Sequence, residues 1–307
     1  MAPVSELESR LARDAGSAVT RCRPIGGEHG ARHYRASLAD GRDLFVKEAS
    51  DGEAGPAALA AEARGLGWLA EAGAVPIPAI ISAQAGLLAL AWIQPATPDR
   101  AASERFGRDL ARLHAAGVGA GSGSAPVPRQ FGARFGARFG AAWPGFIASL
   151  ALPNTEADEW PEWYAENRLL PYLRLARDHG VLGAADAAIV ESVASRIGEL
   201  AGPAEPPSRI HGDLWSGNLL WSDGRGWLID PAAHGGHRET DLAMLALFGA
   251  PYLDSILAAY REATPLADGW QSRLPLHQLH PLLVHVCLFG ASYREPALAA
   301  ARAALRA

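Results

Sequence analysis

Cysteine is nearly absent from this chain: Cys22 and Cys287 are its only two, far apart and in no metal-type spacing. That excludes a disulfide framework and a cysteine-based zinc module, and it points to a reducing compartment. No charge of one sign dominates either. The formal net charge is −5 and the pI is near 6.1, which leaves no electrostatic footprint for nucleic acid or an anionic membrane surface. Long hydrophobic runs are also missing. The longest, "PLLVHVCLFGA" at 281–291, carries His285 and covers roughly half a bilayer, so it reads as a buried helix. The opening "MAPVSELESRLARDAG" is acidic and polar, without the apolar stretch of a signal peptide. These absences predict a cytoplasmic globular protein with neither nucleic acid nor membrane as a partner. They leave its oligomeric state open.

What is present suits two lobes. The chain has 307 residues, 49% of them hydrophobic and 20% charged, more than one small core needs. Leu7, Leu11 and Ala15 recur every four residues and predict a first helix. "HYRASL" and "DLFVKEA" flank "ADGR", and Asp-Gly between alternating segments signals a hairpin. Leu44 and Val46 then face one side of the second strand, and Phe45 and Lys47 the other. Leu59, Ala63, Leu66 and Leu69 form one stripe of a helix that Gly73 ends. "VPIP" is a bend, and "GLLALAWI" is suited to a buried strand. The small β-rich part is predicted to span 1–93 and a mainly helical part 94–307, an α+β fold. Ser103 is the cap candidate for the helix ending at Gly117. "GVGAGSGSAPVP" reads as a flexible loop, "FGARFGARFG" at 131–140 as a local duplication in a loop, and "EWPEWYAENRLLPYLRLARDHG" as a long amphipathic helix.

The chemistry concentrates in "RIHGDLWSGNLLWSDGRGWLIDP", residues 209–231. "NLLW" and "GWLID" flank "SDGR", a second Asp-Gly hairpin. Its closure brings Asn218 at the entry beside Asp230 at the exit, with Asp213 five positions before Asn218. Asn218 and Asp230 offer the hard oxygens that Mg²⁺ prefers. Asp213 is then free to orient a hydroxyl and accept its proton. This is the catalytic-loop and metal-site spacing of kinases. Lys47 on a strand, with Glu62 fifteen positions later on a helix, matches the ion pair that steadies nucleotide phosphates. "IGGEHG" at 25–30 stands where a phosphate-covering turn belongs, which nominates Gly26 and Gly27. Trp92 and Ile93 lie where a hinge would hold the base of ATP.

"HGDLWSGN", "IDP" and "GHRETDLAMLALFG" resemble the fructosamine (ketosamine) kinase family, related to aminoglycoside phosphotransferases. "GRDLFVKEA", "EARGLGWL", "VPIP" and "LPNTEADEW…ENRLL" follow in the family's order, so the resemblance covers roughly 20–290. It implies a two-lobed protein-kinase-like fold, Asp213 as catalytic base, Asn218 and Asp230 as Mg²⁺ ligands, and Lys47 and Glu62 at the ATP phosphates. It also implies a sugar hydroxyl of a ketosamine as acceptor, with Trp215 as an aromatic platform. His211, Glu239 and Asp241 join Trp215 as acceptor-side candidates. Asp241 also reads as a cap of the helix "LAMLALFG" that orders the catalytic loop, and His211 as a brace of that loop. His234 and His237 have no fixed spacing with Asp230, so a transition-metal site is not expected.

Two departures stand out. Glu28 sits in the phosphate turn, where an acidic side chain repels triphosphate unless it points away. Cys22 lies before that turn, so no redox switch is expected there. An aminoglycoside or choline acceptor, or a nucleotide-binding scaffold without turnover, are the competing readings. The chain has no D-F-G or A-P-E and only about ten residues between Asp230 and the next helix, so a protein-kinase role is not expected.

Overall fold

The computed structural model describes residues 4–28, 30–50, 54–117 and 138–307. Most of "GVGAGSGSAPVP" and residues 131–137 of the tandem repeat lie outside the described residues. Helix α1 (Val4–Ala15) precedes strands β1 (Val19–Glu28), β2 (Ala31–Leu38) and β3 (Asp43–Ala49), then helix α2 (Ala54–Glu71) and strands β4 (Ile80–Gln84) and β5 (Leu87–Ala91). The five strands form one antiparallel sheet in the order β1-β2-β3-β5-β4. Strand alternation sets its two faces. Leu44 and Val46 pack with Leu7 and Leu11 of α1, while Leu88 and Leu90 meet Leu59, Ala63 and Leu66 of α2. Lys47 shares this second face with Phe45, on the side of α2.

Strand β1 departs from the expectation that residues 25–30 are a turn ahead of the first hairpin. Residues 19–28 form a full edge strand, and the first hairpin closes between Glu28 and Ala31. Most of this strand is exposed, so "VTRCRPIGGE" carries no apolar alternation to reveal it. A register shift between Pro24 and Gly26 breaks the pattern further.

The larger lobe is mainly helical. Helix α3 (Arg100–Ala115) is capped by Asp99, whose side chain accepts from the Ala102 N–H at 2.7 Å. Ser103 is not the cap: it is buried one turn in, and its hydroxyl donates to the Asp99 carbonyl. Strands β6 (Gly145–Ile147) and β7 (Leu150–Leu152) lead to α4 (Trp160–Tyr164), a wide π turn over Ala165–Leu169, and α5 (Leu170–Asp178). Pro171 has no N–H to give the Asn167 carbonyl, and the Arg168 guanidinium bonds that carbonyl instead, at 3.0 Å. Helices α6 (Ala184–Ser195) and α7 (Ile197–Leu200) follow, then strands β8 (Ser208–Ile210), β9 (Leu219–Ser222), β10 (Arg225–Leu228) and β11 (His234–Gly236). The chain ends in α8 (Glu239–Phe248), α9 (Leu253–Ala263), α10 (Trp270–Phe289) and α11 (Arg294–Ala304). The helical run Trp270–Ala304 is long and apolar enough to cross a bilayer by length and composition, yet half of its most apolar window is buried against the rest of the lobe. Phe139, from the end of the tandem repeat, is buried and bridges to Ala157.

Candidate active site

The site is built from two loops tied at both ends. Strands β8 and β11 pair antiparallel, with Ile210 opposite His234, so residues 211–233 leave and return at one place. Within them β9 and β10 form the expected hairpin, Leu219 opposite Leu228. Its turn residues Asp223 and Gly224 both take positive φ, +50° and +65°, the conformation a two-residue Asp-Gly turn requires. The Ile229 N–H donates to the Asn218 carbonyl at 3.1 Å, which sets Asn218 beside Asp230. The Asn218 amide donates to the backbone and side-chain oxygens of Asp213, at 2.9 and 3.0 Å. Its carbonyl oxygen remains an acceptor. Asp230 itself is in the left-handed region at φ +52°, a strained conformation for a residue with a β-carbon.

That turn aims Asp230 at the small lobe. Lys47 Nζ donates to Asp230 Oδ1 at 2.8 Å and to Glu62 Oε2 at 2.9 Å. Burial alone would lower the ammonium's pKa, but the two carboxylates outweigh it and hold it raised. Asp230 moves the other way: burial pushes its carboxyl up, and the Lys47 charge pulls it below the usual range. Burial dominates at Glu62 and raises it to about 7 despite Lys47. Asp213 is also pushed up to about 7, by burial and by repulsion from Asp230 and Asp241, against the Asn218 hydrogen bond. Two carboxylates therefore meet one ammonium, and the Asp213 carboxyl lines the same cavity. A site with that excess of negative charge and hard oxygen donors fits a divalent cation such as Mg²⁺.

Lys47 has a signal that motif spacing did not use: it is the only lysine in the sequence, all 27 other basic residues being arginine. Lys47, Glu62, Asp213, Trp215, Asn218 and Asp230 all line one cavity of about 590 Å³. Glu28 lines it as well, so the acidic side chain of the phosphate turn faces the cleft. Gly26 and Gly27 lie on the exposed β1 edge and Trp92 and Ile93 just beyond β5, outside the cavity's lining. A β-carbon at Gly27 would come within 2.6 Å of the Ala31 carbonyl, which explains glycine in this tight hairpin. The Trp92 N–H donates to Asp43 O at 2.9 Å, and its indole lies against Phe45 beneath the Arg35 guanidinium.

Three acceptor-side candidates are corrected by burial. His211, Glu239 and Asp241 are at most 1% exposed and do not line the cavity, so they cannot touch a substrate there. Asp241 accepts from the N–H groups of His211 and Gly212, at 2.8 and 2.9 Å, and contacts His114 Nε2 at 3.2 Å. It lies inside the first turn of α8, not ahead of it, so ordering the catalytic loop is its role and capping is not. Gly212 makes this possible: its φ is +80°, and a β-carbon would collide with the Ala232 carbonyl. His211 Nδ1 accepts from the Asp213 N–H, which leaves Nε2–H to donate to Ile229 O at 2.8 Å. Burial lowers its pKa, and the neutral ring braces one loop against the other. Glu239 is held by Arg273, at 2.9 Å from Nε and 2.5 Å from Nη2.

Among the described residues, the grouping compact enough for a transition metal is His237, Glu239 and His277. Its chemistry argues against an ion. The Glu239 N–H donates to His237 Nδ1 at 3.2 Å, so Nε2 carries the ring's proton, and Arg273 already neutralises the Glu239 carboxylate.

A family model described as fructosamine kinase matches residues 4–307. A protein from Thermus thermophilus named "Probable ketoamine kinase" is 33% identical over 253 residues, covering 81% of this chain and 83% of its own. The chloroplastic protein-ribulosamine 3-kinase of Arabidopsis thaliana is 30% identical over 312 residues, 97% of this chain and 87% of that one. A crystal structure from Thermobifida fusca named for fructosamine-3-kinase superposes with a TM-score of 0.89 at 49% identity, covering 98% and 99% of the two chains.

Proposed function

The chain belongs to the fructosamine kinase family, and from that premise we propose that it is an ATP-dependent kinase that phosphorylates a sugar hydroxyl of ketosamines. The observation that carries this reading is the bridge from Lys47 to both Glu62 and Asp230, with Asp213 held beside it by Asn218. It joins the charge that meets the nucleotide's phosphates to the carboxylate that meets the acceptor. Asp213 orients the acceptor hydroxyl and takes its proton as the oxygen attacks the γ-phosphorus. The bond to the β–γ bridging oxygen breaks and ADP leaves. Asn218 and Asp230 are the residues that would hold Mg²⁺, which supplies charge neutralisation on the phosphates when bound. Lys47, steadied by Glu62, contacts the same phosphates. The β1–β2 hairpin with Gly26 and Gly27 covers them, and the backbone at Trp92 and Ile93 forms the hinge against the base.

Trp215, 41% exposed at the cleft, offers its face to the sugar. The division at Ile93 separates an ATP-binding lobe from a catalytic and acceptor lobe. The substrate is a small ketosamine or one carried on a protein, and the enzyme works in the cytoplasm without nucleic acid or membrane. Aminoglycoside phosphorylation is disfavoured by the cavity's lining from Ala232 to Tyr293, which contains no carboxylate to hold a polycation.

The test is ADP release with Mg²⁺-ATP against ribuloselysine, fructoselysine, kanamycin and choline, run beside Asp213→Asn. Turnover confined to the ketosamines and lost in the variant is the expected result. Turnover of kanamycin or choline alone would overturn the reading. ATP binding without turnover of any acceptor would assign the fold to a scaffold.

A further inference from the structure

We infer that the amino group of the acceptor is recognised without any carboxylate, by a recess of aromatic rings in which His285 Nε2 is the hydrogen-bond acceptor. The inference rests on the ketosamine reading above and specifies how that site would choose its substrate.

Beyond Asp213 the cavity continues along Trp215, Met244, Phe248, His285, Phe289 and Tyr293. The rings form a connected wall. Trp215 and Phe248 are 6.3 Å apart between centroids, Phe248 and His285 5.1 Å, His285 and Phe289 5.3 Å, and His285 and Tyr293 4.7 Å. Trp215 and Phe289 are 41% and 56% exposed, an uncommon amount of open aromatic surface beside a catalytic carboxylate. Continuity with Asp213 identifies what covers it. With the reacting hydroxyl at Asp213, the rest of the same molecule runs along the wall that starts two residues away at Trp215.

A ketosamine carries a secondary amine that is protonated near neutral pH, so its amine end brings a positive charge. Among the described residues, every acidic one lining the cavity, Glu28, Glu62, Asp213 and Asp230, belongs to the phosphate and metal side or to the reacting hydroxyl. The described residues of the aromatic end offer none. Ring faces carry the negative end of the aromatic quadrupole and attract a cation without an opposing charge.

His285 supplies the directed contact. Its Nδ1 lies 2.6 Å from the Pro281 carbonyl, and a carbonyl only accepts, so Nδ1 carries the proton. The neutral ring therefore presents a lone pair at Nε2. Burial disfavours the protonated ring, consistent with its place among apolar neighbours. A neutral acceptor inside π faces suits one ammonium. It leaves the further charges of a polycation without partners.

The test compares 1-deoxy-1-propylamino-ribulose with 1-O-propyl-ribulose, in which an ether oxygen replaces the amine nitrogen and removes the charge. Wild-type enzyme is expected to favour the amine by at least about tenfold in kcat/KM. His285→Phe keeps the ring area and removes the acceptor. It is expected to raise KM for the amine about tenfold with kcat within about twofold, and to leave the ether unchanged. Phe289→Ala, at an exposed position with little cost to folding, is expected to raise KM for the amine by about threefold more than for the ether. Equal use of amine and ether by the wild type overturns the inference. So does an equal loss on both compounds in His285→Phe with an unchanged melting temperature. If His285→Phe melts early, Phe289→Ala decides, and an equal effect on both compounds there overturns the inference too. Turnover of kanamycin or choline with neither ribulose compound would instead overturn the ketosamine reading itself.

Discussion

Replacing Asp241 by asparagine isolates the link between a buried hydrogen-bond hub and catalysis. The carboxylate accepts from two backbone N–H groups of the catalytic loop and contacts His114, and it is 1% exposed. Asparagine keeps one carbonyl acceptor but points an amide donor at the second N–H. One charge-assisted bond is lost, worth about 1.5–3 kcal/mol, and a buried donor goes unpaired at about 1–3 kcal/mol. The sum, roughly 2.5–6 kcal/mol, is a large part of a typical domain's stability. It predicts a fall in Tm of at least about 4 °C. The freed segment is His211–Gly212, directly before Asp213, so kcat should fall about 100-fold, the cost of misplacing a catalytic group by about 1 Å. KM for ATP should stay within about twofold, because Lys47 and Glu62 are untouched. Calorimetry and steady-state kinetics read both effects. Leu110→Ala serves as the control: it is fully buried in α3 and should cost about 2–5 kcal/mol while leaving kcat alone. An Asp241→Asn enzyme with lowered Tm and wild-type kcat, matching that control, would refute the idea that this residue positions the catalytic loop.

Lys47→Met should lower kcat/KM by about 100-fold or more through loss of preorganised charge at the phosphates. Gly107→Ala would drive a β-carbon into the Ile256 carbonyl where α3 meets α9, so a loss of about 1–3 kcal/mol is expected in urea unfolding. Acid should unfold the protein through its buried histidines. Burial lowers the pKa of His211, His234 and His280, and brings His237 to about 3. The unfolded chain takes up these protons below about pH 6.5 and the folded chain refuses them. Stability therefore falls as the pH drops below about 6.5, by about 1.4 kcal/mol per unit for His237 toward pH 3 and in the same direction for the other three, offset in part by Glu62 and Asp213, whose raised carboxyls take up protons in the folded chain first. A urea midpoint unchanged between pH 7 and pH 5 would contradict this.

Local pattern was enough wherever the chain signals its own geometry. The two Asp-Gly turns place "DLFVKEA" and the β9–β10 hairpin, and the second of them sets Asn218 beside Asp230 with no tertiary help. The four-residue recurrence of Leu7 and Leu11, and the stripe Leu59, Ala63 and Leu66, likewise announce which helix faces are buried. The spacing of Asp213, Asn218 and Asp230 carried the catalytic hypothesis because the residues share one loop and one hairpin. Edge strand β1 stayed hidden for the opposite reason. Most of its side chains are exposed, so burial left no imprint on their sequence.

Only the tertiary structure decided the contacts between distant segments. Lys47 and Asp230 are 183 positions apart, and nothing local tells Asp230 that its charge partner lies on another lobe. Asp241 looks like a helix cap from its neighbours alone. It becomes the brace of the catalytic loop because β8, β11 and α8 bring it beneath His211 and Gly212. Glu239 reads as an acceptor-side carboxylate until α10 delivers Arg273 to neutralise it. The aromatic recess around His285 unites α8, α10 and the chain leading into α11. Its rings are scattered over tens of positions, and their common face exists only once those helices pack. Hydrogen-bonded turns and helix periodicity act within a few residues, so sequence determines them. Charge pairing and burial act through space, so the choice of partner waits on the fold.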